Sequence, residues 1–208
     1  MSLKSSIKYS ENEITEILLQ NTLTMLEERK LLSKKDNSKN QKKLINQIKD
    51  DLLFNLQEGN NKIGIRIVKY KVTSITKVEG IDNFLNDKSY TIRILIFENM
   101  NQKTFKQLIS YPNTQAFWKH ELMMNIIEHD MVPTHRVLDD KEREEFIRTY
   151  QIPRDKLPKI EQYDPIVRYY NMKIGDIVEI TRKSMATGEA LYHRVVIPSP
   201  VQDLFQNN

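Results

Sequence analysis

The chain has no cysteine, one tryptophan and only five glycines in 208 residues. Without cysteine it has no disulfide, no thiolate zinc site and no cysteine nucleophile, which fits a reducing intracellular setting. The glycines stand at 59, 64, 80, 175 and 188. They are too far apart for a phosphate-cradling P-loop or a dinucleotide fingerprint, both of which need glycines clustered after a strand. No apolar run approaches the roughly 18 residues of a membrane helix. The opening MSLKSSIKYS also lacks the apolar stretch of a signal peptide, so a soluble protein with no membrane partner is expected.

Other catalytic arrangements are also missing. His120-Glu121 begins a zinc-protease motif, but position 124 is Met rather than His. The His129-Asp130 pair with His135 lacks further metal ligands. Acid-x-Lys spacing, as in metal-dependent nucleases, occurs at Glu28-Arg29-Lys30 and Asp139-Asp140-Lys141, both in segments that read as helices rather than strands. Ser184, Thr187 and His193 resemble a nucleophile and base, yet no acid is placed to orient His193. No catalytic residue, metal or cofactor is expected, and the enzyme alternative is a degenerate metal-dependent nuclease.

The formal charge of +4 is unevenly divided. Residues 1–128 hold 20 Lys plus Arg against 15 Asp plus Glu, giving +5, and residues 129–208 hold 12 against 13, giving −1. A modestly basic first part fits auxiliary contact with phosphate backbones as well as a solvated surface. Two domains are expected, 1–128 and 129–208.

Within the first, Glu11–Leu32 has a helical stripe through Ile14, Ile17, Leu18, Met25 and Leu32. A solvated loop with five lysines follows at 33–43, then a second helix over Gln41–Leu56 stopped by Gly59. KIGIRIVKYKV at 62–72 alternates as a strand, with Gly64 as a candidate bulge. Ser74 caps an expected helix through Ile75, Val78, Phe84 and Leu85. YTIRILIF at 90–97 is a strand, and helices are expected over Thr104–Ile109 and Thr114–Glu128, the last burying Trp118 as core. This order predicts a mixed α/β layer with parallel pairing through crossover helices.

From His129 to Ile197 the chain is punctuated by turns. Pro133 places a short strand at a sheet edge. Asp139 with Glu142 forms a capping box for a helix whose inward face is Phe146, Ile147 and Tyr150. Asp164 and Pro165 start a short helix as cap and first residue. After Gly175, IVEITR and LYHRVVI alternate as a hairpin.

This stretch resembles the C-terminal assembly domain of the fifth-largest subunit shared by the eukaryotic RNA polymerases, a family that also has an archaeal member. The resemblance is carried by His129, Val132, Pro133 and His135 in an H-x-L-V-P-x-H opening, with Met131 in place of Leu. It continues through Tyr150, Leu157-Pro158, Ile160, Asp164, Pro165, Arg168-Tyr169, Gly175, Val178, Ile180, Arg182, Ser184, Thr187-Gly188, Tyr192, Arg194 and Val195. FWKHELMMNIIE is similar to the helix that closes the family's jaw domain.

The resemblance implies an α+β or mixed α/β protein. Its N-terminal jaw would have a restriction-endonuclease-like fold without catalysis, and its C-terminal assembly domain would be small and contain a hairpin. It implies a non-catalytic polymerase subunit docking on the largest subunit, contacting other subunits, and lying beside downstream duplex DNA. Docking or domain-defining residues would be His129, Val132, Pro133, His135, Asp164, Pro165, Arg168, Gly175, Arg182, Tyr192 and Arg194. The family's Thr-Pro turn after the second jaw strand is replaced here by ENMNQKTFKQ, so Lys103 and Lys106 become the candidate phosphate contacts, weak and independent of sequence. The alternative is a free-standing nucleic-acid-binding transcription regulator. Abundant Ile, Lys and Asn fit an A/T-rich genome, a large DNA virus among others. The location implied is the nucleus or, if viral, a cytoplasmic factory or virion.

Overall fold

A computed structural model describes residues 9–33, 44, 52–59, 61–153, 156–184 and 188–206. The chain divides into two compact units, Met1–Met124 and Asn125–Asn208. Both are mixed α+β, each around a four-stranded sheet.

The first unit opens with α1 (Glu11–Glu28), started by a capping box in which Ser10 accepts from Glu13 N–H and Glu13 accepts from Ser10 N–H. Its buried stripe is Leu18, Leu19, Leu23, Met25 and Leu26, while Ile14 and Ile17 stay half-buried. The expected helix over Gln41–Leu56 mostly lies outside the described residues. Leu44, which alone of its middle is described, is helical and buried. Its C-terminal end is instead strand β1 (Leu53–Glu58), which pairs antiparallel with β2 (Asn61–Val72). Gly59 is therefore a hairpin residue with φ +56° and not a helix stop.

The expected helix after Ser74 splits into a 3₁₀ turn at Ile75–Lys77 and α2 (Ile81–Asn86), separated by Gly80 at φ +65°. Strand β3 (Ile92–Met100) runs parallel to β2, and α3 (Gln102–Ile109) follows, capped by Asn101 accepting from Thr104 N–H. The helix expected over Thr114–Glu128 is a third parallel strand, β4 (Thr114–Trp118), then short α4 (Lys119–Leu122) and a 3₁₀ turn at Ile126–Glu128. Trp118 is core as expected, but as the last strand residue, stacked on Phe105 at 5.6 Å. The sheet order is β1-β2-β3-β4.

The second unit orders its sheet β5-β7-β8-β6. Strand β5 (Thr134–Val137) is an edge, as Pro133 requires, and α5 (Asp140–Tyr150) starts at the Asp139/Glu142 capping box. Tyr150 departs from the expected inward face and is exposed. Strand β6 (Lys159–Glu161) pairs parallel with β8. Helix α6 (Pro165–Tyr170) is capped by Asp164, whose carboxylate accepts from Ile166 N–H at 2.9 Å. The antiparallel hairpin β7 (Ile177–Ser184) and β8 (Gly188–Ile197) fills the centre, and α7 (Val201–Gln206) follows. One sheet face buries Val178, Ile180 and Val196 with Val167 of α6. The other buries Ile177 and Val195 with Leu138, Leu157 and, from α5, Phe146 and Ile147.

Candidate docking and nucleic-acid surfaces

Ladder register determines what the second sheet displays, because residues directly paired across strands share a face. His135, Ile180 and Tyr192 form one row, and Val137, Val178 and Arg194 the next. The face covered at one end by α6 thus carries His135, Tyr192 and Arg194 beyond its apolar centre, with Arg182 two residues past Ile180. The Arg182 guanidinium lies over the Tyr192 ring at 5.2 Å. Burial pushes the His135 imidazole below its ordinary pKa, opposed by its hydrogen bond with the Pro133 carbonyl at 2.7 Å and by Asp164. Arg182 and Arg194 push it lower still. Neither arginine forms an ion pair with a described residue.

The other residues singled out in the sequence are scattered around this face. His129 ends the second 3₁₀ turn and its Nδ1 accepts from Met131 N–H, while Val132 and Pro133 lead into β5. Asp164 and Pro165 start α6, Arg168 lies in its last turn, and Gly175, at φ +92°, turns the chain into β7. Thr187 lies outside the described residues.

The opposite face holds a charged network that sequence reasoning missed. Arg136 donates from Nε to Glu179 at 3.0 Å and from Nη1 to Glu142, tying β5 to β7 and α5. His193 does have an acid beside it, contrary to expectation: its Nε2 is 3.5 Å from Glu179, and its ring lies 4.3 Å from Phe146. The signal was the register itself, since Glu179 and His193 are ladder partners. Ser184 pairs with Gly188 at the far end of the hairpin, so it and His193 do not converge. Among the described residues no group of three or more His, Asp or Glu could hold a metal ion.

In the first unit, Lys103 and Lys106 lie exposed on α3 and not in a loop. Neither forms an ion pair with a described residue. The lysines of 34–43 lie outside the described residues. Beside the carboxyl ends of β2 and β3 and the first turns of α1 is an open cleft with about 410 Å³ of space. Leu18, Ile67, Ile96 and Phe97 line it, and its two carboxylates are both occupied: Glu11 by Lys69 at 3.3 Å and Glu98 by Lys119 at 2.7 Å.

Known proteins are similar to this sequence. The family model described as RNA polymerase Rpb5, C-terminal domain, matches residues 124–196. The chain is 28% identical over 151 residues to DNA-directed RNA polymerases I, II, and III subunit RPABC1 of Caenorhabditis elegans, covering 71% of this chain and 67% of that one. Against DNA-directed RNA polymerase subunit 5 of Acanthamoeba polyphaga mimivirus it is 27% identical over 197 residues, 92% of this chain and 96% of the relative. DNA-directed RNA polymerase subunit Rpo5 of Archaeoglobus fulgidus is 44% identical over 70 residues, 34% of this chain and 92% of the archaeal one. With an archaeal relative 44% identical and matched over 92% of its length, the chain belongs to the Rpb5 family of DNA-directed RNA polymerase subunits.

Proposed function

We propose that the first unit is the polymerase jaw and the second the assembly domain, that the second docks on the largest subunit, and that the first lies beside downstream duplex DNA. The docking reading rests on the face of His135, Arg182, Tyr192 and Arg194, where two arginines without a described acidic partner flank a half-exposed tyrosine. Arg and Tyr are the residue types that dominate interface energetics, and a desolvated partner carboxylate would complete them. The protein has no active site of its own in this reading. It works inside the cell, in the nucleus or, for a viral polymerase, in a cytoplasmic factory or virion.

The test is co-purification. A C-terminally tagged chain isolated from its native source at moderate salt retains the two large polymerase subunits, and Arg182→Glu with Arg194→Glu releases them while the variant stays folded. Recovery of the wild-type chain alone would leave a free-standing nucleic-acid binder. For the jaw, Lys103→Glu with Lys106→Glu lowers retention of the assembled polymerase on downstream duplex and reduces its salt dependence. Retention unchanged at every salt would remove the DNA contact.

A further inference from the structure

The end of β2 departs from a regular strand at residues 69–71. Between the pairs Val68/Phe97 and Lys71/Asn99 the register advances three residues on β2 against two on β3, so β2 carries a bulge of one extra residue. Regular alternation would turn one of Lys69, Tyr70 and Lys71 inward, but all three are exposed. Tyr70 is 51% exposed and its ring touches no other described ring.

Some of the lysines near it are ion-paired and others are not. On the cleft side, Lys69 is neutralised by Glu11 and Lys119 by Glu98. Past the bulge, Lys71 is the ladder partner of Asn99, near the α3 cap Asn101 in sequence, whose amide donates to the Thr73 carbonyl at 3.1 Å. Lys77 reaches back to the Thr73 hydroxyl at 3.5 Å, and Lys103 rises from the first turn of α3. Lys71, Lys77 and Lys103 form no ion pair with a described residue. Uncompensated positive charge and a free aromatic face therefore share one end of the sheet.

We propose that this bulge is a stacking platform for single-stranded nucleic acid: an unpaired base lies on the Tyr70 ring while Lys71, Lys77 and Lys103 take the flanking phosphates. Lysines alone would favour duplex, whose charge density is higher, but duplex bases already have both faces stacked and offer the ring nothing. An unpaired base gains a partner, and the interaction tolerates any sequence because every base has a π-face. The inference rests on the reading that the first unit touches nucleic acid and is independent of subunit docking.

The full 208-residue chain is titrated, by fluorescence anisotropy at several salt concentrations, into labelled oligo(dT), oligo(U) and a DNA duplex of the same length. The wild type binds the single strands more tightly than the duplex, and comparison of oligo(dT) with oligo(U) shows whether DNA or RNA is preferred. Tyr70→Ala weakens oligo(dT) binding about five-fold or more and duplex binding less than about two-fold, whereas Tyr70→Phe binds as wild type. Lys71→Gln weakens both ligands and lowers the single-strand salt slope by roughly 0.7. Equal affinity for single strand and duplex without response to Tyr70→Ala overturns the platform and leaves the duplex contact standing. Binding of neither ligand overturns the platform, while the duplex contact is decided by retention of the assembled polymerase. Equal loss of both in Tyr70→Ala, with a lowered melting temperature, assigns Tyr70 to the fold and also overturns it.

Discussion

Gly64 lies directly against the ring of Phe84: a β-carbon on this strand residue would stand 2.6 Å from Cε2 of Phe84 and 2.9 Å from Cε1 of Tyr90. The glycine is a site of close approach, and the bulge expected there lies farther along β2. Gly64→Ala should destabilise the first unit by about 1–3 kcal/mol through overpacking. Phe84→Leu on that background should recover part of the loss. Denaturant midpoints of the two single variants and the double variant measure the coupling, and additive losses would disprove the contact.

Arg93 is a buried cation that forms no ion pair with a described residue. It is 4% exposed, and its guanidinium donates to the carbonyls of Phe84, Pro112 and Asp87, pinning the end of α2 and the turn before β4 to the start of β3. Arg93→Met fills similar volume but strands three acceptors, so a loss of roughly 3 kcal/mol or more is expected. Arg93→Lys should recover only part of it, because an ammonium cannot span the planar fork. Thermal or denaturant unfolding checks the order wild type, Lys, Met.

Acid should loosen the second unit at its capping box. The Asp139 N–H and then the Arg136 side chain hold the Glu142 carboxyl below its ordinary value of 4.5. A folded-state pKa below the unfolded one means that Glu142 stabilises the fold above pH 4.5 and loses this contribution as pH falls through the lower folded value. Glu142→Gln should be less stable than wild type at neutral pH, and the gap should narrow below pH 4.5. Stability measured across that window tests it; a constant gap would contradict the shift.

His135 sets a second pH window. Burial depresses its pKa from 6.5, so the folded protein holds the neutral ring while the unfolded chain binds a proton more readily. Its stabilising contribution is complete above pH 6.5 and declines as pH falls from there toward the folded value. The ring proton chemical shifts of His135 should titrate below pH 6.5, and His135→Gln should flatten stability against pH in that range.

Local signals carried the second unit from the sequence. Asp139 with Glu142, Asp164 with Pro165, and Pro133 at an edge each work through neighbours three residues away or fewer, and all appear where expected. The errors fell where two periods fit the same residues. Leu44, Ile48, Leu52 and Leu56 recur at helical spacing, but Leu53–Glu58 also alternates and is followed by Gly59, and pairing with β2 decided for strand. Thr114–Trp118 has too few residues to show its period, and its parallel ladder to β3 comes from a segment some twenty residues away. Of the proposed docking face, the family resemblance supplied residue names. Only register showed that His135, Tyr192 and Arg194 share one side, and that Glu179 stands beside His193.

The second sheet cannot be completed until its last strand is made. Its edges, β5 and β6, precede its central hairpin in the chain, and each edge has a ladder with only one hairpin strand. During translation β6 has nothing to pair with until Gly188–Ile197 has left the ribosome. A nascent chain stalled before Gly188 would expose Ile160, Val178 and Ile180 along open strands, the kind of surface that chaperones hold and aggregation exploits. Synthesis of the last strand therefore acts as a checkpoint on the growing polypeptide: only a chain extended through Ile197 can close this sheet.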